Sequence, residues 1–241
     1  MMNIKLSVMY DGTKFFGSQI QPNRITVEST LLEAFKKINI ETKLIFSGRT
    51  DRDVHATAQV INCIIPNYWR DLTKLKSILN RSIPSSIKIR NIKEVSNSFH
   101  ARYSAKQRTY RYFITTKETN PFNSAYITYI ENINDKLIQD AIKEFVGIHD
   151  FEYFSKGDGG TKTTIREIYF TKFYKHNDIY IFTFTAKGFL RSQIRLMVEF
   201  LLKISQKKLT KKQLIEQLEK KQKYNFKPAA PNGLYLSKIT Y

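Results

Sequence analysis

Ile4, Leu6, Val8 and Tyr10 alternate with polar or smaller residues, and a period of two marks a strand with one buried face. Val27, Leu31, Leu32, Phe35 and Ile38 then recur on one helical stripe, with Thr26 placed to cap it. Lys43–Ser47 and Ala58–Ile65 read as strands. Leu72, Leu75, Ile78 and Leu79 mark a second helix, and Ile87–Val95 a strand with an irregularity at Asn91. The first hundred residues therefore predict the order β-α-β-β-α-β. The remainder repeats it with one added helix. Thr109–Thr116 is strand-like, and Leu137, Ile138, Ala141, Ile142 and Phe145 stripe a helix that Gly147 ends. Ile165–Tyr174 and Ile179–Ala186 are strands turning at His176-Asn177-Asp178. Phe189–Ser205 reads as a long helix, Thr210–Lys221 as another, and Leu234–Thr240 closes the chain with renewed alternation.

This order predicts an α+β fold. Two ferredoxin-like (split β-α-β) halves, 1–100 and 101–241, would join into one large, mostly antiparallel sheet with helices on one face. The other face would stay open as a cleft for a ligand. The halves share element order, not sequence.

Composition bears on that ligand. Of 241 residues, 40 are Lys or Arg and 21 are Asp or Glu, a formal net charge of +19. Such an excess, spread along the chain, is an electrostatic footprint for nucleic acid or an anionic membrane. Fourteen tyrosines and seventeen phenylalanines, often beside basic residues, favour RNA or single strands, whose bases stack on rings while cations track phosphates. Hydrophobic content of 41% suffices for a core and argues against disorder. One cysteine, Cys63, permits no disulfide framework and no CxxC site. The four histidines, His55, His100, His149 and His176, lack metal-ligand spacing. The most apolar run, Phe189 to Ile204, is interrupted by Arg191, Arg195 and Glu199, so no membrane-spanning stretch is expected. The N-terminus opens directly on a strand pattern without a signal segment, and a reduced cytoplasm is the expected location.

The run Ser47-Gly48-Arg49-Thr50-Asp51-Arg52-Asp53-Val54-His55-Ala56 carries the sharpest chemistry. One carboxylate stands between two arginines, just past a glycine, between two strands. Neighbouring positive charge favours an ionised carboxylate and attracts phosphate. That suits a nucleophile or base acting on a polyanion; an Asx turn with a local ion pair is the alternative. On the strand beginning near Thr109, Tyr110 and Tyr112 point to one face, where a tyrosine could stack on a base and offer a phenol for proton transfer, or simply fill the core. Arg191 and Arg195, four apart on the expected long helix, share a face beside Ile194, Met197, Val198, Leu201 and Leu202. An arginine there either snorkels outward or is held inward by a carboxylate, for which Asp51 is the natural candidate. Gly157-Asp158-Gly159-Gly160, between Lys156 and Lys162, reads as a surface loop or a phosphate-touching lid. The lysines from Lys203 to Lys223 read first as a solvated helix face and second as a phosphate track.

Several segments, in order along the chain, resemble the TruA-type tRNA pseudouridine synthases. They are Tyr10-Asp11-Gly12-Thr13-Lys14-Phe15-Phe16-Gly17 with Gln19 and Gln21; Gly48-Arg49-Thr50-Asp51 with Val54-His55-Ala56; and Phe99-His100-Ala101-Arg102 through Arg108-Thr109-Tyr110-Arg111-Tyr112. Phe189-Leu190 with Ile194-Arg195 and Met197-Val198, Pro231-Asn232-Gly233-Leu234-Tyr235-Leu236, and terminal Tyr241 complete the set. The resemblance implies isomerisation of uridine to pseudouridine in the anticodon arm of tRNA, by an enzyme that needs no cofactor or metal and works as a homodimer. By position, Asp51 corresponds to the essential carboxylate, whether it attacks C1′, attacks the base or removes a ribose proton. Tyr110 corresponds to the ring that stacks on uracil and helps take the C5 proton, and Arg195 to the basic partner of the carboxylate. Arg49 would displace the target nucleotide, Leu234 would pack on the flipped base, and His55 and Arg108 would contact substrate. Three positions depart from the family pattern. Ser18 replaces a usual tryptophan, Asp53 a usual glycine whose backbone position aspartate tolerates if φ is positive, and Glu199 a usual glycine on the long helix. The competing expectation is a non-catalytic RNA-binding module with a basic, aromatic sheet face.

Overall fold

The computed structural model describes residues 1–157 and 163–241; Asp158, Gly159, Gly160 and Lys162 of the glycine-rich loop lie outside the described residues. The chain forms two compact units, one of Met1–Lys106 with Tyr235–Tyr241 and one of Gln107–Leu234. Along the chain run β1 (Met2–Tyr10), α1 (Val27–Lys36), β2 (Ile45–Phe46), β3 (His55–Ile65), α2 (Leu72–Ser82) and β4 (Ile87–Glu94). The second unit holds β5 (Gln107–Thr115), β6 (Thr128–Tyr129), α3 (Asp135–Ala141), β7 (Gly147–Asp150), β8 (Ile165–His176), β9 (Ile179–Ala186), α4 (Gln193–Ser205) and α5 (Lys211–Leu218). The closing strand is β10 (Leu234–Thr240).

In the first unit, β1 lies antiparallel between β3 and β4, and β2 pairs antiparallel with β3 through Ile45 opposite Asn62 and Phe46 opposite Ile61. Parallel strands separated by an inserted antiparallel one define the split β-α-β plan expected from the sequence. The irregularity expected at Asn91 is present: Ser7 faces Asn91 while Val8 faces Ile89, so β4 carries an extra residue there. β10 runs parallel to β3, with Tyr235 opposite His55 and Leu236 opposite Ala56. Ile4, Leu6 and Val8 of β1 are fully buried, as are Leu31 and Phe35 of α1 and Leu75 and Leu79 of α2. Each such side chain contributes about 1.5–3 kcal/mol by leaving water. Thr26 caps α1 as expected. Its hydroxyl accepts from the Ser29 N–H at 3.1 Å while Ser29 Oγ accepts from the Thr26 N–H at 3.0 Å, a capping box closed by serine.

The second unit repeats the plan, with β9 antiparallel between β5 and β8. β6 adds parallel to β5, and β7 antiparallel to the far side of β8. Its core is aromatic. Phe145, Phe151, Phe154, Phe182, Phe184 and Phe200 are fully buried, and the Phe145 ring stands edge-on to Phe154 at 5.3 Å.

Two expectations about this unit change. The expected helix Phe189–Ser205 begins only at Gln193. Ser192 is left-handed at φ 59°, and the Gln193 side chain accepts from the Leu190 N–H at 2.8 Å, closing a turn in place of a helical start. Arg191 therefore lies before α4 and does not share a helical face with Arg195. The expected helix over 137–145 is α-helical only to Ala141 and then tightens into a 3-10 turn at Ile142–Phe145. Element order divides the chain at residue 100, whereas packing carries residues 101–106 with the first unit. Asn62 Oδ1 accepts from the Ala101 N–H at 2.8 Å, and the Tyr241 hydroxyl donates to the Ala101 carbonyl at 2.8 Å.

Candidate active site

Asp51 belongs to the first unit, in the loop between β2 and β3. That loop is tied down at nearly every polar atom around it. The Thr50 N–H donates to Ser18 Oγ at 2.9 Å, and the Thr50 carbonyl accepts the Ser18 N–H at 3.0 Å. The Thr50 hydroxyl bonds the Tyr10 hydroxyl at 2.8 Å. Gln59, fully buried on β3, donates to the Gly48 carbonyl at 2.8 Å and to the Tyr10 oxygen at 3.4 Å. Burial pushes the Tyr10 phenol up to about 12, against the lowering effect of its bonds to Thr50 and Gln59, so it is a neutral hydrogen-bonding strut. The Val54 N–H closes the turn on the Asp51 carbonyl at 3.2 Å.

Two of the three departures from the family pattern, Ser18 and Asp53, fit this loop. Ser18 is fully buried, and its small hydroxyl makes the reciprocal bond to Thr50. Asp53 is left-handed at φ 63°, the conformation that aspartate tolerates better than most residues. Its carboxylate meets Arg52 Nε at 3.5 Å, so the extra negative charge next to Asp51 is matched within the loop.

The tyrosine–aspartate–glycine–threonine segment is the loop's second support. Asp11 Oδ1 accepts the Thr13 N–H at 3.0 Å and the Thr13 hydroxyl at 2.8 Å, shaping a 3-10 turn at Gly12–Lys14. A Cβ on Gly12 would stand 2.2 Å from the Val54 carbonyl oxygen, so only glycine allows this approach. The Gly12 N–H donates to His55 Nδ1 at 3.1 Å, which assigns the imidazole proton to Nε2. Asp11 Oδ1 lies 3.4 Å from the same nitrogen. His55 is 2% exposed and stacks on Tyr235 at 4.5 Å. Its ring is held inside the first unit, directly after the Asp51 loop. Arg49, by contrast, is exposed on the loop.

The second unit holds the other expected residues. Tyr110 on β5 lies opposite Phe184 of β9, its ring edge-on to Phe189 at 5.4 Å. Tyr112, on the same face, is core. Its hydroxyl bonds Thr128 Oγ1 at 2.8 Å and the Ala230 carbonyl at 2.7 Å. Burial pushes its phenol far up, and the Thr128 bond and the Arg195 charge pull back against that. Of the two tyrosines, the structure thus assigns Tyr112 to packing. Arg195 on α4 donates from Nε to the Ala229 carbonyl at 2.7 Å, and its own carbonyl accepts the Ala229 N–H at 3.0 Å. This pairing fixes the guanidinium's stem against the segment leading to Leu234. Leu234 follows Gly233, where a Cβ would stand 2.6 Å from the Phe113 carbonyl oxygen. Arg108 is 7% exposed and donates to the Lys187 carbonyl.

A family model described as tRNA pseudouridine synthase matches residues 6–104 and 141–241. The chain is 38% identical over 240 residues to tRNA pseudouridine synthase A of Campylobacter jejuni strain RM1221, with 100% of each chain covered. It is 38% identical over 232 residues to the Wolinella succinogenes protein of that name, covering 96% of this chain and 92% of that one. It is 37% identical over 248 residues to the Streptococcus agalactiae protein of that name, covering 100% and 96%. The chain belongs to the tRNA pseudouridine synthase family.

Within this synthase, the family-model match includes the Asp51 loop, Arg195 and Leu234; Arg108 and Tyr110 fall between its two stretches. Sequence reasoning missed the scaffold of the synthase loop: the hydrogen bonds that join Tyr10, Ser18 and Gln59 to it link residues far apart along the chain, and no local pattern signals them. The lysine-rich stretch is mostly exposed, and two of its lysines reach carboxylates of the second unit. Lys211 reaches Asp140 and Glu144, each at 2.9 Å, and Lys220 reaches Asp150 at 2.7 Å and Glu152 at 3.2 Å. Among the described residues no helix is long and apolar enough to cross a membrane.

Proposed function

We propose that this enzyme isomerises uridine to pseudouridine in the anticodon stem-loop of tRNA, with Asp51 as the essential carboxylate acting on a flipped nucleotide. The observation that carries the reading is the Asp51 loop: a carboxylate flanked by arginines on a backbone locked through Thr50, in a chain of this family. The reaction breaks the C1′–N1 bond, turns the uracil and joins C5 to C1′, while the C5 proton leaves and N1 is protonated. Attack on C1′, attack on the base and removal of a ribose proton each require a carboxylate at a fixed position, which a loop without slack supplies.

Tyr110 stacks on the uracil and helps take the C5 proton, and Arg195 supplies the cationic partner of the carboxylate. Exposed Arg49 displaces the nucleotide, and Leu234 packs on the extruded base. Extrusion costs a few kcal/mol, which the basic surface offsets through phosphate contacts. His55 and Arg108 complete the set of substrate-binding residues. The enzyme works in the cytoplasm as a homodimer, a state that light scattering of the pure protein reads directly.

The test is tritium release from C5-labelled uridine in unmodified tRNA. Wild type releases tritium, and Asp51→Asn abolishes release while binding tRNA nearly as well. Release by Asp51→Asn at the wild-type rate refutes the role of the carboxylate. Tight tRNA binding by wild type without release indicates an RNA-binding module instead.

A further inference from the structure

Two guanidinium groups share one aromatic ring beside the Asp51 loop. Arg24 Cζ lies 4.5 Å and Arg52 Cζ 4.7 Å from the centroid of the partly exposed Phe16 ring. Phe16 and Arg24 lie at the two ends of a tight excursion between the 3-10 turn at Gly12–Lys14 and α1. The Phe16 N–H donates to the Ile25 carbonyl at 2.9 Å, the Gln21 side chain donates to the Phe16 carbonyl at 2.5 Å, and Gln21 bridges to Arg24. Asn23, left-handed at φ 55°, turns the tip. The excursion is seated on the catalytic loop. A Cβ on Gly17, at φ 88°, would stand 2.8 Å from the Thr50 carbonyl oxygen and 3.4 Å from the Asp51 carbonyl carbon. Ser18 then completes the reciprocal bonds to Thr50.

Like charges gathered on one ring repel, and the arrangement gains most when an anion joins them. Stacking on Phe16 orients each planar guanidinium, whose donors then project from the ring edge in the fork that suits phosphate oxygens. Arg52 meets one carboxylate, Asp53, through Nε at 3.5 Å. Arg24 has no carboxylate within ion-pair distance among the described residues and is exposed. We propose that Arg24 and Arg52, held over Phe16, form a docking point for one backbone phosphate of the tRNA, fixed relative to Asp51 through Gly17 and Ser18. Arg24 is then a positioning residue: it sets where the target strand lies without touching the reacting atoms. The inference rests on tRNA being the substrate but not on isomerisation.

The experiment is equilibrium binding of unmodified tRNA transcript over a salt series, read without turnover. Losing one phosphate contact lowers the slope of log affinity against log salt by about 0.7–0.9. Arg24→Gln is expected to show that decrease, with affinity falling several-fold at low salt and unchanged thermal unfolding, since the side chain is exposed. Phe16→Leu, which removes the ring and keeps both charges, is expected to weaken binding as well. Arg81→Gln, on the last turn of α2, is expected to keep the wild-type slope. Binding by Arg24→Gln with the wild-type slope overturns the proposal, and so does an affinity loss that is equal at every salt concentration. Failure of wild type to bind tRNA overturns the substrate reading too, whereas binding without tritium release leaves the docking point standing.

Discussion

Removing the Thr50 hydroxyl isolates what the scaffold does for Asp51. Thr50→Val preserves shape and takes away one oxygen. Both partners of the 2.8 Å Tyr10–Thr50 bond are buried, with Tyr10 5% and Thr50 7% exposed. After the substitution the Tyr10 oxygen retains only Gln59 Nε2, a donor at 3.4 Å, so the phenol proton loses its acceptor. Leaving a buried polar group unsatisfied costs about 1–3 kcal/mol, and Tyr10→Phe should cost a similar amount by stranding the Thr50 hydroxyl. The double variant removes both partners, and its cost should fall short of the summed single costs by about 1 kcal/mol or more. Thr50 precedes Asp51 directly, so a relaxed loop moves the carboxylate, and a displacement of order 1 Å lowers turnover about 100-fold. Urea unfolding gives the stabilities, and single-turnover tritium release gives the rate apart from KM. Strictly additive single costs, or full turnover by Thr50→Val, would falsify this account of the network.

Two further outcomes follow from the same geometry. Gly12→Ala forces a Cβ to within 2.2 Å of backbone at Val54 and should destabilise by about 1–3 kcal/mol, measured as a lower urea midpoint; a wild-type midpoint would contradict the close approach. Alkaline pH should unfold the protein early. Burial raises Tyr10 from 10.0 and Cys63 from 9.0, each to about 12, so the folded state favours their neutral forms. Their contribution is whole below pH 9, declines as pH rises and is gone above about 12; for Tyr10 it amounts to roughly 2–3 kcal/mol. Tyr10→Phe should flatten the decline above pH 10 in urea titrations, and an unchanged decline would refute the assignment.

How much of this was legible depended on how local the cause was. Alternation in Ile4–Tyr10 and the Thr26 cap depend on neighbouring residues, and both took the expected form. The positive φ at Asp53 followed from a residue type set against a family glycine. The start of α4 was not legible, because Phe189, Leu190 and Ile194 continue the apolar period across a turn closed by the Gln193 amide on the Leu190 carbonyl and the Leu190 amide on the Gln193 side chain. β6 and β7, of two and four residues, are too short to show a period. The closing strand continued the second half in order, but its parallel register with β3 depends on a pairing about 180 positions away along the chain. Side-chain type likewise did not reveal exposure. His55, Arg108 and Tyr110 carry polar groups suited to a ligand, and all three are largely buried, at 2%, 7% and 7% exposed. The lysine-rich stretch is solvated as expected, but the carboxylates that meet Lys211 and Lys220 lie some 70 residues upstream, so those pairings were not legible.

The arrangement around Thr50 bears on where motion occurs in the reaction. Its amide, carbonyl and hydroxyl are all engaged, Gly48 is held by Gln59, and Asp51 is closed by Val54. None of these bonds uses the Asp51 carboxylate, so the loop is complete before substrate arrives. A base inside a stem cannot reach such a carboxylate, and the loop cannot reach out to the base without breaking several buried bonds at about 1–3 kcal/mol each. Extruding one nucleotide costs only a few kcal/mol in total. With Asp51 as the proposed reacting group, the cheaper movement is that of the RNA, and the enzyme's task would be to hold the strand where the swung nucleotide meets a stationary carboxylate. A phosphate docked on Arg24 and Arg52, one backbone layer from Asp51, would define that distance from the enzyme side, and the strand's own covalent geometry would define the rest.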